Sequence, residues 1–215
     1  MCENKLEQLK EEFRRLDTEW YNKFYALDKQ EDGGYTLDPE QSTYAVVWNI
    51  ILSWISDKEC IADFGCGVGQ FAQLAIRRGK KYVYGTDYSS VAINLAVIRN
   101  PSHAACFEVN DLRSAVACAL TDYDVAIFTE VLEHLENDLG ALANVPIGRR
   151  AIVTIPSFDY ISHYRHFDTI EMCIERYSKV LTIHKAIGVL CMPFSECMKI
   201  WILDGIRIGS EHANA

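Results

Sequence analysis

The sequence predicts an α/β fold: a doubly wound, mainly parallel sheet covered by helices on both faces, with further helices ahead of it. Three observations carry that prediction. Beyond about residue 58, short apolar runs of strand character alternate with helix-forming segments, and such alternation implies parallel strands joined by helical crossovers. The first of these runs ends in Ile61-Ala62-Asp63-Phe64-Gly65-Cys66-Gly67-Val68-Gly69, an acid and three alternating glycines between a strand and a helix. Later strands also end in acids, at Asp87, at Asn110-Asp111 and at Glu130.

The elements follow in order. Leu6, Leu9, Phe13, Leu16, Trp20, Phe24 and Leu27 recur at spacings of three and four, one apolar stripe on an amphipathic helix that reaches about residue 28. Asp32-Gly33-Gly34 is a turn signal. Asp38-Pro39-Glu40-Gln41 opens a second helix: Asp38 can cap it, Pro39 suits its first position, and Gln41 completes a capping-box pattern. Its core face carries Tyr44, Val47, Trp48, Ile51 and Ile55. Strands are then expected at 60–64, 81–86, 105–109, 123–129 and 150–155. Helices are expected at 69–78, at 89–99 and from about residue 132. A helix after Asp168 runs to about Tyr177, and two closing strands, 180–185 and 198–204, flank a connection through Met192-Pro193-Phe194. The expected organisation is an N-terminal helical segment or lid over 1–57, the main domain over 58–208, and a frayed tail over 209–215.

The chain has 215 residues, enough for one domain with a full core and one or two appended elements. Its net charge of −9, with no basic block beyond pairs such as Arg77-Arg78, argues against an extended nucleic-acid footprint. A short single-stranded end held in a cleft stays open. Eight cysteines with no Cys-x-x-Cys pair read as reduced, mostly buried thiols of a cytoplasmic protein. No signal peptide is visible, and no apolar stretch is long enough to span a bilayer.

Glycine is needed where a backbone turns sharply and approaches a ligand closely. Residues 61–69 therefore read as a nucleotide- or adenosine-binding turn. Asp87, eighteen residues beyond Gly69, is placed to accept from both hydroxyls of a ribose, or to cap the helix that Ser89-Ser90 open. At Asn110-Asp111-Leu112 the carboxylate can accept from an adenine amine and the apolar neighbour can pack on the ring; the alternative is an ordinary Asn-Asp turn.

Taken together, Asp63-Phe-Gly-Cys-Gly-Val-Gly69, Gly85-Thr-Asp87, Asn110-Asp111 and Thr129-Glu-Val-Leu-Glu-His134 resemble the class I S-adenosylmethionine-dependent methyltransferases over about residues 59–205. The resemblance implies a Rossmann-like seven-stranded sheet of order 3-2-1-4-5-7-6 with strand 7 antiparallel. It also implies S-adenosylmethionine as cofactor and S-adenosylhomocysteine as product. It assigns Asp63, Gly65, Cys66, Gly67 and Gly69 to the methionine and ribose portions, Asp87 with Tyr88 to the ribose, and Asn110, Asp111 and Leu112 to the adenine. Glu130 then faces the reaction chamber. A dehydrogenase is the competitor; against it, the loop is Gly-x-Gly-x-Gly rather than Gly-x-Gly-x-x-Gly.

Glu130, Glu133 and His134 can converge, two carboxylates and an imidazole that suit a divalent metal. The motif resembles that of ubiquinone-pathway O-methyltransferases and small-RNA 3′-end ribose methyltransferases, where it helps bind metal. The favoured reading has no metal, with Glu133 at a helix start and His134 beside the cofactor. His134 and Glu130 are the catalytic candidates, His134 as general base for a hydroxyl or protonated amine. Residues 157–168 are dense in aromatic and imidazole groups. They resemble the Val-Pro-Asn…His-Val-Arg-His-Phe segment of a group of bacterial methyltransferases, with Ser157 in place of Asn. Ser157, His163, Arg165 and His166 are therefore candidate acceptor contacts, or else His166-Phe167 staple the next helix with Asp168 as its cap. Tyr21, Tyr25 and Tyr35 are candidates to line the chamber from the N-terminal segment.

The expected function is methyl transfer to a small-molecule or sugar-type acceptor at oxygen or nitrogen. The alternatives are metal-assisted 2′-O-methylation of an RNA end and a non-catalytic cofactor-binding subunit. A monomer, a homodimer or a heteromer paired through the N-terminal helix are all compatible with the sequence.

Overall fold

Strand β1 (Cys60–Phe64) sits mid-sheet because its side chains are buried on both faces. The computed structural model describes residues 18–26, 34–114, 122–190 and 198–209. Among these, β2 (Lys81–Asp87), β3 (Phe107–Val109), β4 (Val125–Phe128), β5 (Arg150–Pro156), β6 (Leu181–Leu190) and β7 (Lys199–Arg207) complete one sheet of order β3-β2-β1-β4-β5-β7-β6. The first five strands are parallel, and β7 runs antiparallel to both β5 and β6. Order and directions are those the sequence resemblance implies.

The period-2 alternation of strand side chains sorts the core into two layers. Ile61, Val125, Ile127, Ile152 and Ile202 face α2 (Ala45–Trp54), α3 (Gln70–Arg77) and α4 (Ser90–Arg99). Ala62, Phe64, Ala126, Phe128 and Val153 face the opposite layer, which holds α5 (Asp138–Ala143) and α6 (Ile170–Tyr177). Each large aliphatic or aromatic side chain buried this way contributes about 1.5–3 kcal/mol.

Ahead of the sheet lies α1 (Thr18–Ala26), held to the start of α4 by one polar side chain. Asn22 Oδ1 accepts from Ser89 Oγ at 2.7 Å and from the Val91 amide at 3.4 Å. The expected stripe residues Leu6, Leu9, Phe13, Leu16 and Leu27 lie outside the described residues, as do Asp32-Gly33, Met192-Pro193-Phe194 and 210–215.

Several boundaries differ from expectation. The second helix does not run on from Asp38: Asp38 caps only the 3-10 turn Pro39–Gln41, and Ser42 turns extended before α2 begins. Ser42 Oγ accepts from the Tyr44 amide, a local alternative to the helical bond that serine readily offers. The helix expected from residue 132 is a 3-10 turn, Leu132–His134, and α5 starts only at Asp138, where Asn137 caps it. Thr169, not Asp168, caps α6, its side chain accepting from the Met172 amide. Strand β6 runs five residues past its expected end to Leu190, with a register shift between Ile183 and Lys185.

Candidate active site

The loop after β1 is shaped by backbone conformation. Gly65, Gly67 and Gly69 have φ of 83°, 51° and 74°, values that a Cβ makes costly. A Cβ at Gly69 would also lie 2.7 Å from Asn100 Nδ2 and 2.9 Å from Ala96 Cβ. The Gly65 and Cys66 amides both donate to Thr86 O, at 2.7 and 2.8 Å, so the loop folds back over the end of β2. There Asp87 Oδ2 accepts from the Gly67 amide at 3.1 Å, and Oδ1 from the Ser89 amide at 2.9 Å. One carboxylate thus ties the glycine loop to the start of α4, with a lone pair on each oxygen still to use. Burial pushes its pKa up to about 6.

Asp63 lies beneath the loop, fully buried, and takes a 3.2 Å hydrogen bond from Tyr82 Oη on Oδ2 while Oδ1 has no partner. Burial raises it to about 7, Tyr82 working against the shift and Asp87 adding to it. Cys66 is packed into the core, and burial pushes its thiol well above the ordinary range.

At the end of β3 the Asn110 amide donates to Asp87 O at 3.0 Å. Asp111 has a partner that the sequence did not single out. The Arg113 guanidinium holds both of its oxygens, with Nη2 to Oδ2 at 2.6 Å, and keeps this carboxyl below its usual range. The same guanidinium lies 5.8 Å from the centre of the Tyr88 ring, and Tyr88 packs edge-on against Tyr21 at 5.1 Å. Leu112 is buried in the core with Phe64, Tyr84 and Phe128.

At the end of β4, Glu130 has φ 55°, alone in that region among the described non-glycine residues. Thr154, the one hydroxyl inside β5, accounts for its stability there. Thr154 Oγ1 accepts from the Glu130 amide at 2.9 Å and donates to Glu130 Oε1 at 2.7 Å. Burial raises the Glu130 carboxyl to about 7.

Glu133 is fully buried, and neither of its carboxylate oxygens has a hydrogen-bond partner. Burial, reinforced by Glu130, drives it well above the usual carboxylate range. His134 Nδ1 lies 3.3 Å from Ser162 O, and burial lowers this imidazole to about 4. A carbonyl can only accept, so this contact puts the proton on Nδ1 and leaves a lone pair on Nε2, 3.9 Å from Glu133 Oε1.

The loop after β5 is bolted to this turn. The Tyr164 amide donates to Glu133 O at 2.7 Å, and His163, buried, packs its ring 4.8 Å from that of His134. Arg165 is given over to the framework: Nη1 donates to Leu132 O and Leu135 O, Nη2 donates to Glu136 O, and the guanidinium pairs with buried Asp138 at 3.3 Å. Arg176 and Tyr177 Oη also donate to Asp138. Ser157 pairs with Lys199 of β7 through main chain and hydroxyl, both at 2.8 Å. His166 lies between Asp159 at 3.9 Å and Asp168 at 3.7 Å.

Helix α1 roofs the two halves. Tyr25 Oη would lie 3.5 Å from a Cβ on Gly67, and its ring packs on Tyr35 at 5.3 Å. Tyr21 forms side-chain hydrogen bonds with both Tyr88 and Ser162, and burial pushes its hydroxyl up to about 12. One side chain therefore spans from the β2 end to the β5 loop. Asn22, Arg113, Thr154 and Ser162 escaped the sequence reading. Only Thr154 carried a signal, as a lone hydroxyl in an otherwise apolar run.

A family model described as a methyltransferase domain matches residues 39–145. No curated protein matches the sequence. Among solved structures, the N-methyltransferase NodS from Bradyrhizobium japonicum WM9, in complex with S-adenosylhomocysteine, superposes with a TM-score of 0.60 at 18% identity, over 93% of this chain and 97% of that one. The 1,6-didemethyltoxoflavin-N1-methyltransferase from Burkholderia thailandensis gives 0.62 at 13% identity, over 78% and 79% of the two chains. Magnesium protoporphyrin IX methyltransferase from Synechocystis PCC 6803, with bound S-adenosylmethionine, gives 0.57 at 20% identity, over 77% and 80%. At these identities the likenesses establish the fold.

Proposed function

The chain belongs to the class I S-adenosylmethionine-dependent methyltransferases, and on that premise we propose that it methylates an oxygen or nitrogen of a small acceptor enclosed beneath α1. The observation that carries the reading is the cradle formed by the Gly67 amide and Asp87 beside three left-handed glycines, whose φ values fold the loop over the end of β2. It fits S-adenosylmethionine. When bound, that cofactor supplies an electrophilic methyl group.

In this reading Asp87 holds the ribose hydroxyls with its remaining lone pairs, and the Arg113–Tyr88 pair flanks the adenine with Asp111 and Leu112 behind it. Asp63, Gly65, Cys66, Gly67 and Gly69 shape the methionine end, and Glu130 borders the reaction chamber. Methyl transfer is an in-line displacement, so positioning and exclusion of water supply most of the rate. Tyr21 and Tyr25 exclude water from above as a lid over the cofactor, the role we give to the N-terminal segment. His134 faces the acceptor with Nε2, where a neutral imidazole accepts a hydrogen bond from a hydroxyl or amine and orients its lone pair. Depressed to about 4, it orients better than it deprotonates.

The short reach between Tyr88 and Ser162, both met by Tyr21, supports a metabolite-sized acceptor over a polymer. The solved relatives include a methyltransferase bound to 1,6-didemethyltoxoflavin, an acceptor of that scale. No described helix is long and apolar enough to cross a membrane, and the described cysteines Cys60, Cys66, Cys106 and Cys173 are free thiols, in keeping with work in the cytoplasm.

Calorimetric titration tests the reading with S-adenosylmethionine and NAD as ligands. S-adenosylmethionine should bind, and Asp87→Ala should weaken it at least about tenfold by removing two charge-assisted hydrogen bonds. Preference for NAD overturns it. Screening small hydroxyl and amine metabolites for S-adenosylhomocysteine release then identifies the acceptor, and turnover confined to RNA ends would replace the small-molecule reading.

A further inference from the structure

We propose that Arg99, assisted by Gln70, is a positioning residue that locks the lid to the glycine loop, so that the lid closes over the cofactor only with the loop in its binding shape. Arg99 ends α4 and is none of the groups assigned to cofactor or acceptor. Its guanidinium reaches two segments at once. Nε donates to Val68 O at 3.1 Å, inside the glycine loop, while Nη2 donates to Tyr35 O at 2.6 Å and Nη1 to Leu37 O at 3.1 Å. A planar guanidinium, with donors fixed in several directions, suits such a set; a lysine ammonium, a single point of charge, does not.

Gln70 repeats the pattern from the start of α3. It follows Gly69 directly and is buried, and its Nε2 donates to Gly34 O and to Leu37 O, each at 3.0 Å. Residues 34–37 form a tight turn, closed by the Leu37 amide on Gly34 O at 2.9 Å with Gly34 at φ 69°. The carbonyls of Gly34, Tyr35 and Leu37 therefore all end on two side chains, and both side chains are attached to the glycine loop. Asn100, next to Arg99, donates from Nδ2 to Gly69 O at 3.0 Å. The end of α4 thus holds two consecutive carbonyls of that loop, Val68 O and Gly69 O.

The turn passes this constraint to α1 through one ring. Tyr35 packs edge-on against Tyr25 at 5.3 Å, and Tyr25 Oη lies over Gly67. The contacts run from Val68 through Arg99, Tyr35 and Tyr25 back to Gly67, so loop and lid are joined at both ends. Lifting the lid while the loop keeps its shape breaks this path at Tyr35 or at Arg99. A lid held in place before binding lowers the ordering cost of the complex, and its release shows chiefly in the rate of escape. That α1 covers a bound cofactor rests on the function proposed above; the bonds of Arg99 and Gln70 do not.

Surface plasmon resonance on the immobilised full-length protein measures association and dissociation rates of S-adenosylmethionine. Arg99→Met should raise the dissociation rate about tenfold and change association less than about twofold. Gln70→Met should act in the same direction, and where one variant fails to fold the other decides. Arg77→Met is the control: it removes the exposed ion pair with Asp38 at 2.7 Å, beside the turn, and touches none of the three carbonyls. It should leave both rates unchanged, and an effect equal to that of Arg99→Met overturns the lock. The coupling itself is read in a Tyr35→Ala background, which lacks the ring but keeps the main-chain carbonyl. There Arg99→Met should have at most about a third of its effect, since both changes open one path. An undiminished effect in that background overturns the lock, as do unchanged dissociation rates in the folded Arg99 and Gln70 variants. Wild-type protein that does not bind S-adenosylmethionine removes the proposed function. Wild-type binding with unaltered rates in the variants removes the lock alone.

Discussion

Where β1, β2 and β3 end, the polar groups brought together are main-chain amides, kept in shape by Gly65, Gly67 and Gly69 and gathered by Thr86 O and one carboxylate, Asp87. Where β4 and β5 end, they are buried side chains, Glu130, Glu133, His134 and His163, held by Thr154, Ser162 and Arg165. The first half depends on the absence of a Cβ at a few positions and tolerates variation around them. The second depends on a network, in which one lost partner strands several others. Substitutions in the two halves should therefore fail in different ways.

The largest effect is expected at Arg165. Arg165→Met leaves the carbonyls of Leu132, Leu135 and Glu136 without their donor and removes one of the cations paired with buried Asp138. Breaking a buried ion pair from one side costs about 3–5 kcal/mol, and Arg176 on the same carboxylate holds the loss toward the lower figure. Urea unfolding measures it. In the folded variant kcat should fall while cofactor affinity holds, and a parallel loss of cofactor affinity would show that the halves are one unit.

Next is Gly69→Ala, which should cost about 2 kcal/mol from the left-handed φ and the contact with Ala96 and Asn100. Here cofactor affinity should fall as well, by about tenfold, as read by calorimetric titration with S-adenosylmethionine.

Asp63 sets a smaller, pH-dependent effect. Its native pKa, about 7, lies above its ordinary 3.8, so the folded state binds a proton that the unfolded state releases. Stability from this group is greatest in acid and falls as pH rises through the interval from about 4 to about 7. Asp63→Asn keeps the Tyr82 hydrogen bond without the charge. It should flatten that slope and raise the melting temperature at pH 8 by a few degrees; an unchanged slope places the titration elsewhere.

Smallest is Tyr21→Phe, which removes one hydroxyl from between Tyr88 and Ser162. A loss of about 1 kcal/mol is expected, read as a several-fold rise in acceptor KM with little change in stability.

The same contrast explains how much the sequence disclosed. Strand positions and the glycine loop were legible because burial periodicity and glycine chemistry are local signals, whereas strand order and the antiparallel β7 were implied only by the family resemblance. Asp87 was legible as two alternatives, cap and ligand; the cap of α4 is Ser89, whose Oγ accepts from the Ala92 amide, while the Asp87 oxygens serve the Gly67 and Ser89 amides. The half built at the ends of β4 and β5 was read only in outline. Glu133 and His163 are thirty residues apart, and nothing local marks them as neighbours. Arg165 looked like an anion contact because its three carbonyl partners belong to another segment. The turn at residues 132–134 was read as the start of a helix, although that helix begins only at the Asn137 cap.

The register shift between Ile183 and Lys185 in β6 has a consequence for how copies of this chain meet. Strand β6 ends the sheet, and an edge strand is a template on which another molecule can build. The shift leaves His184 without a register partner and twists the strand locally, and Lys185 is drawn over the Trp54 ring at 4.0 Å. At the opposite margin β3 offers only three residues. Neither margin presents a long, flat, regular ladder, so the sheet is disfavoured from growing edge to edge into dimers or fibrils.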